Sequence, residues 1–357
     1  MKKPIVAITA GDPNGIGYEI LIKALAESHI LEVCVPVVYG NAAIAQKHAR
    51  CLDEAYHNLS WNLIDDASQA KDGRLNLVTC YPDNTPINIG NNTQEGGRAS
   101  LMSLQAATRD LKAGKTHLLV TAPINKENVQ QDGFRFSGHT EYLTQHFAQN
   151  GESLMMMVSD AMRVALVSNH VAVRNIAQQI TEDNILSKLR ILNSSLQGDF
   201  TIRKPRIAVL ALNPHAGDNG LLGDEEQTII RPAIEKANAE NICVFGPYAA
   251  DGFFGAGKYV HFDAILAMYH DQGLAPFKAL DMNGVNFTAG LDIVRTSPDH
   301  GTAYDLAGKN EANPQSFQQA IYLALDIYHR RLQETEINAN PLHIEPREER
   351  PHKLFEE

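Results

Sequence analysis

Three histidines share one setting: His170 closes VALVSNH, His215 closes VLALNPH and His270 closes ILAMYH, each at the end of an apolar, strand-like run. Three neutral imidazoles form a facial ligand set for a divalent ion and leave positions open for water or substrate, as catalytic sites do. A single histidine at such a place is more often a turn residue, but three at equivalent strand ends would be brought by the topology to one cleft or one subunit seam. Asp271 and Asp251 are candidates for further oxygen ligands or for partners that orient the imidazoles, the alternative being ordinary turn aspartates. A small anion has its own candidates. In FSGHTEYL a loop runs into a helix, where His139 and exposed N–H groups favour phosphate or carboxylate and Thr140 is the expected cap. Lys278, Asn286 and Arg295 follow the third histidine, expected at or near strand ends. Two cations and an amide can hold a dianion, the arginine with a two-pronged grip.

These residues need a frame, and the chain supplies an alternating one. Short β-rich runs (PIVAIT, VCVPVVYG, LNLVTC, HLLVTAP, RIAVLALNP, ICVFGPY, DAILAMY and VNFTAGLDIVRTS) are separated by helical periodicities such as GGRASLMSLQAATRDLKAG and EEQTIIRPAIEKANAEN. That alternation specifies an α/β fold with largely parallel strands. MMMVSDAMRVALVS reads as an antiparallel hairpin. In AMYHDQGLAPFK a strand is expected to stop at His270, with a glycine turn after it. Residues from Glu334 onward are polar and broken by proline, and read as a loosely held tail. In AGDPNGIG the glycines have neither the Rossmann nor the P-loop spacing and suit a tight strand-to-helix turn. NPHAGDNGLLGDEE reads as a flexible cleft loop whose acidic triplet starts a helix.

The bulk numbers set limits. With 357 residues, 44% apolar, the chain can bury a large core in one or two α/β units. Its 31 basic and 42 acidic side chains give a net charge of −11, which disfavours nucleic acid and anionic membrane as partners. Four scattered cysteines with no C-x-x-C pair, and no apolar run long enough for a signal or a membrane span, make a cytoplasmic protein the expectation.

AGDPNGIG, TAPINKE, SGHTEYL, NPHAGDNGLLGDEE, AMYHDQG and VRTSPDHGTAYDLAGK stand in the order and approximate spacing of the 4-hydroxythreonine-4-phosphate dehydrogenases of pyridoxal 5'-phosphate biosynthesis, which the chain resembles from Lys3 to about Leu332. The resemblance implies a two-lobed, isocitrate/isopropylmalate dehydrogenase-like fold with the site in the interlobe cleft: residues 1–130 plus 290–333 as one lobe, 131–289 as the second, carrying the metal site and dimer contacts, and 334–357 as a tail. It implies that His170, His215 and His270 bind a divalent ion (zinc, magnesium, manganese or cobalt) in a site shared by the two subunits of a homodimer. His139, Thr140, Lys278, Asn286 and Arg295 match the family's substrate positions, with Lys278 a candidate proton shuttle. DHGTAYDLAGKNEANP is similar to the adenosine loop of the β-decarboxylating dehydrogenases, which bind NAD without a Rossmann fingerprint. By that likeness His300, Gly301, Thr302, Asp305 and Asn313 line an NAD or NADP site. The implied reaction is oxidation of 4-phosphohydroxy-L-threonine followed by decarboxylation. Relatives with nearly the same motifs act on 4-phospho-D-threonate, 4-phospho-D-erythronate or dihydrodiol carboxylates, and Asp292 stands where many relatives have proline. A metal-dependent hydrolase or a phosphometabolite sensor are the rival classes.

Overall fold

The structure, a computed structural model, describes residues 2–131, 136, 138–148 and 150–340. Twelve strands form one sheet: β1 (Ile5–Thr9), β2 (Val35–Gly40), β3 (Trp61–Ile64), β4 (Leu75–Thr79), β5 (Leu118–Thr121), β6 (Leu154–Val158), β7 (Arg163–Ser168), β8 (Arg206–Leu210), β9 (Cys243–Tyr248), β10 (Ala264–Tyr269), β11 (Val285–Ala289) and β12 (Val294–Pro298). Their order is β3-β4-β2-β1-β5-β12-β11-β6-β7-β10-β8-β9. The α/β class expected from the alternation holds, and helices cross between parallel strands in both halves of the sheet.

The exception lies at the centre. β11 pairs antiparallel with both β12 and β6, and β6 pairs antiparallel with β7, so two parallel halves meet through an antiparallel seam. The β6–β7 hairpin was legible in MMMVSDAMRVALVS. The run VNFTAGLDIVRTS is in fact two strands, β11 and β12, turned back on each other through Gly290, whose backbone is left-handed (φ 83°). β3, in the stretch WNLI, had no expected counterpart; its residues are half-buried or exposed at the sheet edge, so it lacks the apolar signature of a covered strand.

Alternation along the seam separates two faces. Phe287, Val285, Val294 and Met156 point into the main apolar core, against the long helix Gln315–Ala339 and its buried Phe317, Ile321 and Leu325. The opposite face carries Asn286 and Thr288, Arg295 and Ser297, and Met155 and Met157, aligned by the pairs Asn286 with Ser297, Asn286 with Met157 and Thr288 with Met155. The last helix continues to Ala339, so the polar tail expected from Glu334 begins as helix; residues 341–357 of it lie outside the described residues.

Two glycine readings come out differently. AGDPNGIG is the tight turn expected: Gly11 is left-handed (φ 68°), and a Cβ there would lie 2.3 Å from the Pro123 carbonyl oxygen. Behind His270, however, no glycine turn follows. His270–Leu280 is a helix, and Gly273 sits inside it because a Cβ would press on Val164 Cγ1 at 2.8 Å and on Ala267 and Leu166 at 3.0 Å. The glycine lets the helix lie close against β7 and β10. Lys278 is therefore in the last turn of a helix and not at a strand end.

Candidate active site

The polar face of the seam is the floor of a cavity of about 300 Å³. Arg295 dominates it. The side chain is 3% exposed, its Nε and Nη2 donate to Thr121 Oγ1 at 3.2 and 2.7 Å, and its Nη1 donates to Thr288 Oγ1 at 3.1 Å. Among the described residues it forms no ion pair. Burial pulls its pKa down to about 10, with Glu141 opposing the shift, yet it stays a cation at neutral pH. A buried charge without a counterion is costly unless a ligand supplies one. Three further polar atoms are buried there without a partner: Asn286 Oδ1, His139 Nε2 and His300 Nε2. Unmet hydrogen-bonding capacity on three sides of one cavity is the signature of a small polar ligand.

The walls come from both halves of the sheet. His139 and Thr140 line the cavity from the first turn of the helix His139–Phe147. Thr140 is not its cap: Gly138 holds that position, and the Thr140 carbonyl accepts from Thr144 Oγ1 within the helix. Burial first, then the charges of Arg295 and Lys126, hold His139 well below the usual histidine range and therefore neutral. Lys278 reaches in from the opposite wall, paired with Asp299 at 3.1 Å. Burial raises the Asp299 carboxyl while Lys278 opposes the rise.

His170 and His270 meet at the cavity's second end. β7 and β10 pair Ser168 with Tyr269, so the residues just past them are neighbours, and the two imidazole centroids lie 6.2 Å apart. His270 Nδ1 lies 2.7 Å from Asp271 Oδ1, which fixes the proton on Nδ1 and leaves Nε2 free to coordinate. The Asp271 carboxylate is itself 83% exposed. Lys126 Nζ is 3.1 Å from His170 Nε2. Burial and then Lys126 depress His170's pKa, which keeps its lone pair available, while Glu141 opposes them.

His215 is not brought to this pair. It follows β8 in the segment Pro214–Gly220, where five successive residues from His215 to Asn219 are left-handed, and it stands exposed outside the cavity lining. Among the described residues no three histidine, cysteine or acidic side chains come together in a metal-holding group. Asp251, in the helix Ala250–Gly255, is also exposed and outside the cavity. The loop that carries His215 is less free than its composition suggested. Glu226 is buried, and its Oε1 accepts from the backbone of Leu212 at 2.9 Å and Asn213 at 2.7 Å. The acidic triplet therefore staples the loop from within, with Glu226 opening one π-helical turn, Glu226–Ile230.

Of the cofactor candidates, His300 and Gly301 line the same cavity. The Thr302 carbonyl accepts from Ile16 N at 2.9 Å, which docks the loop on the AGDPNGIG turn. Asp305 and Asn313 are exposed farther along, Asn313 bonding Gln315 at the start of the last helix. Four residues without a role in the sequence reading shape the site: Lys126, Asp299, Thr121 and Asp12. The buried Asp12 accepts from Tyr304 OH at 2.8 Å and from Asn128 Nδ2 at 2.7 Å, tying the candidate cofactor loop to the helix that begins at Lys126. TAPINKE was a signal for Lys126 and Thr121, since its threonine ends a strand and its lysine opens the next helix. Asp12 lay in the AGDPNGIG turn and Asp299 at the head of DHGTAYDLAGKNEANP, and neither was singled out.

The family model described as pyridoxal phosphate biosynthetic protein PdxA matches residues 32–324. A 4-hydroxythreonine-4-phosphate dehydrogenase of Bacteroides thetaiotaomicron is 48% identical over 94% of this chain and 92% of its own. One from a Sulfurihydrogenibium species is 39% identical over 90% and 97%. The solved structure of the Klebsiella pneumoniae 4-hydroxythreonine-4-phosphate dehydrogenase superposes with a TM-score of 0.78 at 32% identity, covering 92% of this chain and 98% of that one.

Proposed function

The chain belongs to the PdxA family of pyridoxal phosphate biosynthetic proteins, and from that premise we propose that it oxidises 4-phosphohydroxy-L-threonine at C3 and decarboxylates the product to 3-amino-2-oxopropyl phosphate. The observation that carries this reading is the buried guanidinium of Arg295, without an ion-pair partner among the described residues, at the floor of a small cavity beside the unpaired Asn286 Oδ1 and His139 Nε2. A phosphorylated hydroxy-amino acid supplies the anion that Arg295 lacks, and its ammonium or hydroxyl group a donor for Asn286 Oδ1.

The imidazoles fit an ion of the zinc, magnesium, manganese or cobalt type: His270 is oriented by Asp271, and His170 is kept neutral. When bound, that ion would supply Lewis acidity and NAD or NADP a hydride acceptor. His170 and His270 of one chain would hold it together with the His215 of a second copy. In support, Leu221 and Leu222 on the His215 loop are 78% and 44% exposed, apolar surface suited to a homodimer contact. The lobes bounding the cleft are residues 1–130 with 290–333 and residues 131–289, the second carrying the dimer contacts. His300, Gly301, Thr302, Asp305 and Asn313 would line the NAD or NADP site, of which His300 and Gly301 border the cavity. Among the described residues no helix is long and apolar enough to cross a membrane, and we place the enzyme in the cytoplasm.

The protein's own groups then divide the work. Arg295 and Asn286, with His139 and Thr140, fix the phosphate, so that C3 and the carboxylate point toward the histidine end. Lys278, as the neutral amine, would take the proton of the C3 hydroxyl and, as the ammonium that Asp299 then holds in place, return it to C2, the carbon that loses carbon dioxide. Each NADH or NADPH formed from 4-phosphohydroxy-L-threonine should be matched by one carbon dioxide. Trapping labelled carbon dioxide beside the absorbance of the reduced cofactor measures that ratio, and reduced cofactor without carbon dioxide would leave a plain dehydrogenase in place of the two-step reading.

A further inference from the structure

We propose that Lys126 occupies the ion's coordination position at His170 until the ion arrives, and then turns to bind the carboxylate of the substrate; the proposal rests on the metal-dependent reading above. Lys126 opens the helix Lys126–Gln131, whose backbone is fixed from below. Asn125 Oδ1 accepts from the backbone of Glu127 at 2.9 Å and Asn128 at 3.2 Å, and the buried Asn128 side chain is held by Asp12. The lysine side chain itself is exposed and passes beside Gly138, where a Cβ would stand 3.5 Å from its Cε. A fixed base and a free stem give its ammonium a short arc within the cavity.

One end of that arc is His170. The ammonium has only donors, so at 3.1 Å from Nε2 it must be using the imidazole lone pair. A metal ion needs the same lone pair and repels the same charge, so the two occupancies exclude each other. The lysine also holds the ring in the tautomer that coordination requires, with its proton on Nδ1.

The other end is set by what the site leaves over. Arg295 is tied to Thr121 and Thr288 on the floor, and Lys278 is paired with Asp299. In the proposed substrate the carboxylate is on the carbon next to C3, so a C3 oxygen directed at the histidines carries the carboxylate into the same corner. Lys126 is the cation of the cavity lining that is already there. Glu141, also in the lining, is the competing acceptor for the displaced ammonium.

The test is calorimetric titration of manganese into metal-stripped full-length protein without substrate, for the wild type, Lys126→Leu and Lys126→Arg, followed by KM for 4-phosphohydroxy-L-threonine. Lys126→Leu should bind manganese about 10-fold more tightly, the equivalent of one charge-assisted hydrogen bond no longer competing, while its KM rises by about 10- to 100-fold. Lys126→Arg keeps a cationic donor and should bind the ion no more tightly than the wild type. A residue that merely supported the loop would weaken both, and Lys126→Leu binding the ion no better than the wild type, or with an unmoved KM, overturns the proposal. A wild type that takes up no ion removes the metal reading itself, a result distinct from either.

Discussion

Replacing Arg295 with methionine should lower kcat/KM by about a thousandfold while leaving the thermal midpoint unchanged or higher. The first half follows from the substrate complex, where loss of one partner of a buried, hydrogen-bonded charge pair costs roughly 3–5 kcal/mol. The second half follows from the free enzyme. Arg295 is buried, it forms no ion pair among the described residues, and burial pulls its pKa to about 10 against the charge of Glu141, so the folded state bears the cost of desolvating it. Methionine fills much of the same volume with no such cost, and Thr121 and Thr288 can turn their hydroxyls to other acceptors. Arg295→Lys keeps the charge but loses the fork that spans both threonines, and its activity should fall between the two. Steady-state kinetics beside a thermal melt separate the possibilities. A lowered midpoint with an unaltered KM would make Arg295 part of the scaffold and leave the cavity without its anion site.

Activity should also be recoverable from two dead proteins. His215→Ala and His270→Ala, each lacking one proposed ligand at every site, should each lose nearly all turnover. If the ion lies between His215 of one chain and His270 of the other, a mixed dimer has one site missing both ligands and one site intact. Equal mixing with free exchange makes half of the dimers mixed, with one good site in two, so roughly a quarter of wild-type activity should return. The placement of His215 outside the cavity of its own chain motivates the expectation. Co-expression of the two variants with different tags makes the measurement: the unfractionated mixture should show that quarter, and the purified doubly tagged dimer about half of wild-type activity per dimer. No recovery in a verified mixed dimer would put all three histidines on one chain and require the Pro214–Gly220 segment to fold back over its own cleft.

Much of this site could be read from the sequence because strand ends are local events. VALVSNH and ILAMYH each stop at a polar residue, and the parallel pairing of β7 with β10 then makes His170 and His270 neighbours. SGHTEYL likewise marked a helix start whose first residues line the cavity. The floor was hidden by a mixed alternation. In VNFTA the polar residues Asn286 and Thr288 face the cleft, but in VRTSP Thr296 points into the core, where it donates to the Ala320 carbonyl at 2.7 Å, so polarity does not identify the face. Gly273 suggested a turn because glycine breaks isolated helices; here the close approach of the helix to Val164 outweighs its intrinsic preference. Lys278 and Asp299 are 21 residues apart and become a pair only through the docking of that helix beside β12. The seam between the two parallel halves was equally non-local, since it depends on which distant strands β11 lies between.

The most direct test of a metal-dependent oxidation in this cavity is reduced-cofactor formation by chelator-treated protein, with NAD or NADP, before and after addition of zinc, magnesium, manganese or cobalt. It should be run on 4-phosphohydroxy-L-threonine and on 4-phospho-D-threonate side by side. The expected result is negligible turnover after chelation and restoration by a divalent ion, with the amino-acid substrate preferred. Turnover that survives chelation unchanged, or that favours the sugar acid, would contradict it.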